Sequence, residues 1–281
     1  MDCPNSDCAY KLPVHVDRCP VCGRDVGFPN VRAAQAPAEV AALEAREDRA
    51  LQRAAADDRL DKLEQFRQAV KNSQAAICRK LSVLQQLVSS DNELYATFYE
   101  LVRAEARLPQ DNAFDRVRNA IDALLFPNYH EKIRFAALTL DGCGVPTYGD
   151  YTMVLRDQAI RLRATVFEEN SFVFMKYKAA PYEPPPPGHM AIWDHRDKLA
   201  VAKLGDRIEA GTKPEDFPRI LLCVGATPED DQFIEVHIYG PIHRRAIERV
   251  VGPVPKSKED CCIFEDLRNT LEQIGVRLET S

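Results

Sequence analysis

Four cysteines inside the first 22 residues constrain this chain more tightly than anything else in it. Cys3 and Cys8 close one loop and Cys19 and Cys22 a second, with ten residues between them. In such paired knuckles each loop bends the chain until two thiolates converge, and Gly23 supplies the turn after the second pair. Four thiolates complete the tetrahedron of a structural zinc ion, with His15 as an alternative ligand. So short a segment cannot bury a core, so metal binding is expected to supply most of its folding free energy. The competing readings are a redox-active Cys-x-x-Cys pair and accidental spacing. Residues 1–25 are read as a zinc ribbon.

The other five cysteines, Cys78, Cys143, Cys223, Cys261 and Cys262, are scattered or adjacent and do not form a disulfide framework. A formal net charge of −6 argues against bulk electrostatic coating of nucleic acid but leaves room for a local basic patch. No apolar run approaches the roughly 18 residues of a membrane span, and the amino terminus is polar, so a cytoplasmic protein without a membrane partner is expected. With 281 residues, 45% of them apolar, the chain has room for one large domain or a few small ones.

Residues 26–38, rich in Pro, Ala and Gln, read as a linker. From Glu39 to Pro109 the chain is almost free of Gly and Pro, and Leu63, Phe66, Val70, Ile77, Leu81, Leu84 and Val88 recur at helical spacing. A helix unbroken from Glu39 to Ser89 would be about 75 Å long, so a break is expected between Ala54 and Asp58. Ser90 and Glu93 have the spacing of a capping box for a second helix through Leu94, Phe98, Leu101 and Val102. Asp111 would cap a third, through Phe114, Val117, Ile121 and Leu124, that stops at Pro127. Residues 39–127 therefore read as a helical spacer or bundle whose apolar stripe needs a partner, a second copy of the chain being one.

After Asn128 the texture changes to that of an α+β domain, residues 128–281. Short β-branched and aromatic runs read as strands: Ile133–Leu140, Tyr151–Leu155, Arg163–Phe167, Phe172–Tyr177, Ile220–Val224 and Phe233–Tyr239. Tyr182–Gly188 reads as an extended proline loop and Ala191–Leu204 as a helix. In the last strand alternation puts Phe233, Glu235, His237 and Tyr239 on one face. A carboxylate among aromatics and a histidine belongs either to a solvated sheet face or to a cleft that needs one negative charge. His195, Arg196 and Lys198, and likewise His243, Arg244 and Arg245, form local basic patches that suit a phosphate or a solvated helix face equally.

Three blocks, EKIRFAALTL (131–140), YGDYTMVLRDQAIRLRATVFEENSF (148–172) and FIEVHIYGPI (233–242), occur in the order found in ADP-ribosyltransferase-like domains of bacterial toxins and related bacterial proteins, which the last 150 or so residues resemble. The resemblance implies a split β-sheet domain with an Arg or His on the first strand, a hydroxyl residue on the second and a glutamate on a later one. Arg134, Ser171 and Glu235 hold those positions. It further implies NAD as substrate and transfer of a single ADP-ribose to a protein or nucleic acid, in a toxin or defence setting. The ribbon would then dock the target or a partner such as an antitoxin.

On this reading Glu235 stabilises the charge that develops on the ribose as nicotinamide leaves, and Ser171 braces it. Arg134 pairs with the pyrophosphate or adenine ribose, with Arg156 and Arg163 as rivals. Tyr148 and Gly149 wall the nicotinamide, and Phe167 or Tyr239 stacks on it. Phe233 departs from the family, which commonly has Gln or Glu two residues before the glutamate. That departure leaves the acceptor open and favours two alternatives, an NAD glycohydrolase and a non-catalytic zinc-ribbon adaptor for nucleic acid or protein.

Overall fold

The central strand of the molecule comes from a stretch whose spacing reads as helix. In the computed structural model, which describes residues 2–95, 113–177, 183–227 and 229–280, Gln74–Arg79 is strand β1. It lies between β2 (Ile133–Thr139) and β3 (Tyr151–Leu155), antiparallel to both, with Ala76 opposite Ala137 and Ile77 opposite Met153. A strand covered on both faces carries no polar alternation, and Ala75, Ala76, Ile77 and Cys78 are all buried. Ile77 falls at helical distance from Val70 and Leu81 by coincidence, so residues 39–127 are not a separate helical unit.

β4 (Ala164–Phe167), β5 (Met190–Ile192), β6 (Glu235–Tyr239), β7 (Ile247–Gly252) and β8 (Arg277–Thr280) complete a sheet of order β5-β4-β6-β2-β1-β3-β7-β8. All its neighbours are antiparallel except β7 and β8. The architecture is mixed α/β, and among the described residues the eight strands form one continuous sheet rather than the split sheet expected.

The expected linker is largely helical: α1 spans Pro29–Ala34 and α2 Pro37–Ala56, each begun by a proline at a position where no backbone donor is needed. α2 ends where the break was expected, with Asp58 at φ +53, and α3 runs Leu60–Lys71. α4 (Leu81–Val88) follows β1, and α5 (Ala113–Leu125) is the helix expected before Pro127. The second expected helix beyond Tyr95, its residues Phe98, Leu101 and Val102, the Asp111 cap and the side chains of Phe114 and Val117 lie outside the described residues.

Two expected strands are helices. Ser171–Tyr177 is α6, where Asn170 Oδ1 accepts from the Phe172 N–H at 3.0 Å and turns the chain into the helix; Phe217–Leu221 is a short helix opened by Pro218. α7 (Arg196–Leu204) and α8 (Lys258–Gln273, capped by Ser257) complete the set used below.

One sheet face buries Leu138, Ile77, Met153, Val166, Val236 and Ile238 against α2, α3, α4, α7 and α8 in one core with Leu63, Phe66, Leu84, Leu199 and Leu267. The stripe of Leu63, Phe66, Val70, Leu84 and Val88 is fully buried there, so its partner is the chain's own sheet and not a second copy. The other face carries a smaller aromatic cluster of Phe126, Tyr129, Phe167, Phe172, Phe174 and Tyr239 under α5 and α6. No described helix is long and apolar enough to cross a membrane.

Candidate active site around Glu235

Glu235 opens β6 opposite Ala137 of β2 and Phe167 of β4, on the aromatic face of the sheet. The register puts His237 on the same face, opposite Phe135 and Thr165. Glu235 Oε2 accepts two hydrogen bonds, from the Ser171 N–H at 3.0 Å and from His237 Nε2 at 2.8 Å. Among the described residues Oε1 accepts none. The Ser171 donor is free because the first N–H groups of α6 have no partner within the helix. Ser171 Oγ is buried and without a hydrogen-bond partner among the described residues.

Three further side chains complete the surroundings. Arg118 of α5 lies over the Phe135 ring, 4.4 Å from its centroid, with Nε 3.1 Å from Asp122 Oδ1. Its burial opposes its charge, but Asp122 and Glu235 outweigh that and raise its proton affinity. Tyr148 is 44% exposed, yet its hydroxyl is pushed above the ordinary phenol range by burial and then by the charge of Glu235, and Asn170 lies beside it. The chain leading to Tyr148 is tied down by Thr147 Oγ1, which donates to Asp231 Oδ2 at 3.1 Å, while Asp231 Oδ1 accepts from the Gly225 N–H at 2.9 Å.

Burial alone would push the Glu235 carboxyl upward. The His237 hydrogen bond, the charges of His237 and Arg118, and Ser171 outweigh it and hold the group below the ordinary carboxylate range. The site is therefore a buried, ionised carboxylate with one uncommitted oxygen, beside a guanidinium and a half-exposed phenol. The backbone around it is clamped from below, because Lys203 donates to the carbonyls of Glu168 and Phe233, at the end of β4 and just before β6. Glu168 itself pairs with Arg46 at 2.5 Å and His189 at 2.8 Å, which fixes the end of the proline loop against α2.

Of the residues named from the sequence, Glu235, Ser171 and Tyr148 come together. Arg134 is opposite Ile238, on the other sheet face, and donates to the carbonyls of Lys132 at 3.0 Å and Tyr95 at 3.4 Å. Arg163 is spent on the carbonyls of Ala159, Tyr239 and Pro241. Arg156 precedes a one-turn helix after β3, its backbone N–H donating to the Ala246 carbonyl at 2.8 Å, and no contact joins it to Glu235 among the described residues. Phe167 is fully buried and stacks on His237 at 5.9 Å, so it packs inside the core and offers no face to a ligand. Tyr239 is four residues along β6 from Glu235, near Phe28 and Tyr129, and its hydroxyl accepts from Lys132 at 3.1 Å. Gly149 serves the backbone: a Cβ there would lie 2.2 Å from the Arg79 carbonyl carbon. Phe233 fills an apolar pocket with Ala137, Val145 and Leu222.

Sequence reasoning missed two residues here. His237 was visible on the mixed strand face but carried no assigned role. Arg118 looks like any charge on an amphipathic helix. Arg79, at the end of β1, lies outside this site: alternation puts it with Ile77 on the face that carries Arg134, where its guanidinium donates to the Cys78 carbonyl at 2.6 Å and rests 5.0 Å from the Tyr95 ring centroid.

At the amino terminus the sulfurs of Cys3, Cys8, Cys19 and Cys22 lie within 4.8 Å of one another and can hold one metal ion. Cys3 and Cys22 are 3.6 Å apart and Cys8 and Cys19 3.8 Å. A tetrahedral ion with metal–sulfur bonds of about 2.3 Å needs sulfurs about 3.8 Å apart. Gly23, at φ +69, makes the turn its position requires. His15 is not part of this cluster. Arg32 of α1 grips the knuckles by donating to the carbonyls of Val14 at 2.9 Å, Val16 at 2.8 Å, Val26 at 3.2 Å and Gly27.

No protein-family model and no curated protein sequence matches the chain. Among solved structures it is similar to Thermus sp. 2.9 DarT in complex with ADP-ribosylated ssDNA, at 9% identity and a TM-score of 0.37, covering 74% of this chain and 93% of that one. The likeness is too slight to transfer residues or activity.

Proposed function

We propose that the chain is an NAD-dependent ADP-ribosyltransferase acting on a macromolecule, with a zinc-bound ribbon at its amino terminus. The observation that carries this reading is the Glu235 carboxylate, buried, ionised and with Oε1 uncommitted, on the strand that the resemblance assigns to the catalytic glutamate. When the bond from nicotinamide to the ribose C1′ breaks, its electron pair leaves with nicotinamide and positive charge builds on the sugar. A fixed carboxylate in a water-poor site stabilises that charge without reorganising. The acceptor nucleophile then bonds to C1′ and gives up its proton.

Ser171 Oγ, buried and unpartnered, supplies a hydroxyl beside Glu235 for the nicotinamide ribose. Tyr148 walls the nicotinamide. Neither Arg134 nor Arg79 is assigned to the pyrophosphate, since alternation puts both on the other sheet face. The four thiolates suit zinc by ligand type and spacing.

The test is nicotinamide release and label transfer from labelled NAD, with protein, RNA and DNA offered as acceptors. The parent is expected to consume NAD, and Glu235→Gln to bind it with turnover reduced by about 100-fold or more. Absence of both activities in the parent overturns the reading. Release without transfer to any acceptor makes the protein an NAD glycohydrolase, an outcome that Phe233 leaves open by removing the polar side chain common two residues before the glutamate.

A further inference from the structure

We infer that His237 is a positioning residue that fixes the Glu235 carboxylate for the reaction through a single, oriented N–H. The inference rests on the functional reading above and adds to it a residue that the glutamate strand's register alone does not reveal.

The geometry is specific in three ways. The imidazole is boxed by three rings: Phe126 at 4.9 Å and Phe135 at 5.4 Å, both edge-on, and Phe167 stacked at 5.9 Å. An imidazole so enclosed has no room for another rotamer. Its strand is pinned from behind, since the Asn30 amide donates to the His237 carbonyl at 3.2 Å. Its two nitrogens have opposite surroundings: Nε2 faces Glu235 Oε2 at 2.8 Å, whereas Nδ1 is buried with no partner among the described residues. An ionised carboxylate only accepts hydrogen bonds, so Nε2 must carry the proton.

The orphaned Nδ1 is costly to bury, and apolar replacement of the whole ring would suit the aromatic box better. Retaining an imidazole there makes sense if its other nitrogen is needed where it points. With Nε2–H and the Ser171 N–H both on Oε2, the carboxylate cannot rotate and Oε1 is left to the substrate. The other charged or titratable groups of the pocket are Arg118 and Asp122 from α5, Tyr148 from the loop before β3 and Asp231 before β6. None of them is hydrogen-bonded to Glu235 among the described contacts, so none replaces the His237 donor.

The experiment compares the parent, His237→Gln and His237→Leu as full-length, metal-loaded protein. Gln keeps an N–H donor at the end of its side chain and Leu does not. Nicotinamide release is measured against NAD concentration across about pH 5 to 9. For His237→Leu the expected result is a kcat lower by about 100-fold, a KM for NAD within about threefold, and an acid limb moved to higher pH. His237→Gln is expected to recover about tenfold of that loss. A His237→Leu kcat within about threefold of the parent, an unmoved acid limb, or a Gln variant no better than Leu overturns the inference.

If the parent consumes no NAD, the enzymatic reading fails by itself, and the positioning role is decided by NMR on the parent. There the expected result is a protonated His237 Nε2 and a Glu235 carboxyl that stays ionised down to its ordinary titration range. An Nε2 without a proton, or a carboxyl that titrates above that range, overturns it. The same spectra decide the matter if the Leu variant does not fold.

Discussion

The side-chain amide of Asn30 donates to the backbone carbonyl of His237 at 3.2 Å, so the helix that grips the four-cysteine ribbon is bonded to the strand that carries Glu235. The same amide reaches the Arg163 carbonyl at 3.0 Å, bridging β4 and β6, and Asn30 is fully buried. Two residues further on, Arg32 holds four ribbon carbonyls. Ribbon and sheet are therefore joined through one turn of α1. Asn30→Leu removes the donor while filling its volume and is expected to destabilise the fold by about 1–3 kcal/mol. Thermal melts read the loss, and the metal content should stay at one ion per chain; an unchanged melt would show that the bridge contributes nothing.

Metal removal tests the ribbon separately. Apart from Cys3, Cys8 and Cys19 the ribbon buries Leu12 and Val26, with Val16 packed against them, too little apolar surface to stay folded alone. Chelation, or Cys19→Ser, is expected to open residues 1–27 to protease while the sheet core, which shares no ligand with the ribbon, keeps its ellipticity. Protection of that segment without metal would contradict this.

Acid should destabilise the protein through Glu235 and Glu168. Both are buried carboxylates; burial pushes each upward, and their partners more than reverse it, His237, Arg118 and Ser171 for the first and His189 and Arg46 for the second. A carboxyl whose folded proton affinity lies below its unfolded value of 4.5 stabilises the fold above that value, and the contribution disappears as pH falls through the folded one. Denaturant melts should therefore show stability falling below about pH 4.5. Glu168→Gln should flatten that fall; a slope unchanged by the substitution would remove Glu168 from the account.

The ribbon was legible in the sequence because its ligands are local: four cysteines and a glycine determine it without help from the rest of the chain. The Glu235 strand was legible for a related reason, since alternation alone sorts Glu235 and His237 onto one face. β1 was hidden because a central strand buried on both faces shows no alternation, and Ile77 happens to continue the spacing of Phe66, Val70 and Leu81. Ser171–Tyr177 misled for the opposite reason. Its aromatic and β-branched residues favour a strand, but the Asn170 side chain starts a helix, and that helix is what aims the Ser171 N–H at Glu235. Arg134 was placed on the wrong face because register, not order along the chain, decides which side of a sheet a residue occupies.

Gly149 and Gly23 separate strain from crowding. Both have positive φ, +139 and +69, which favours glycine. At Gly23 nothing lies within 4 Å of where a Cβ would sit, so Gly23→Ala is expected to cost only the backbone strain, about 1 kcal/mol. At Gly149 the added methyl would meet the Arg79 carbonyl carbon at 2.2 Å and the Lys80 nitrogen at 2.6 Å, main-chain atoms at the end of the central strand that cannot give way cheaply. Gly149→Ala is expected to cost more than about 2 kcal/mol. It should also shift the neighbouring Tyr148 away from Glu235 and so weaken NAD turnover. Paired denaturation curves check the first expectation and nicotinamide release the second; equal costs at the two positions would show that the close approach at Arg79 is relieved by movement of the loop.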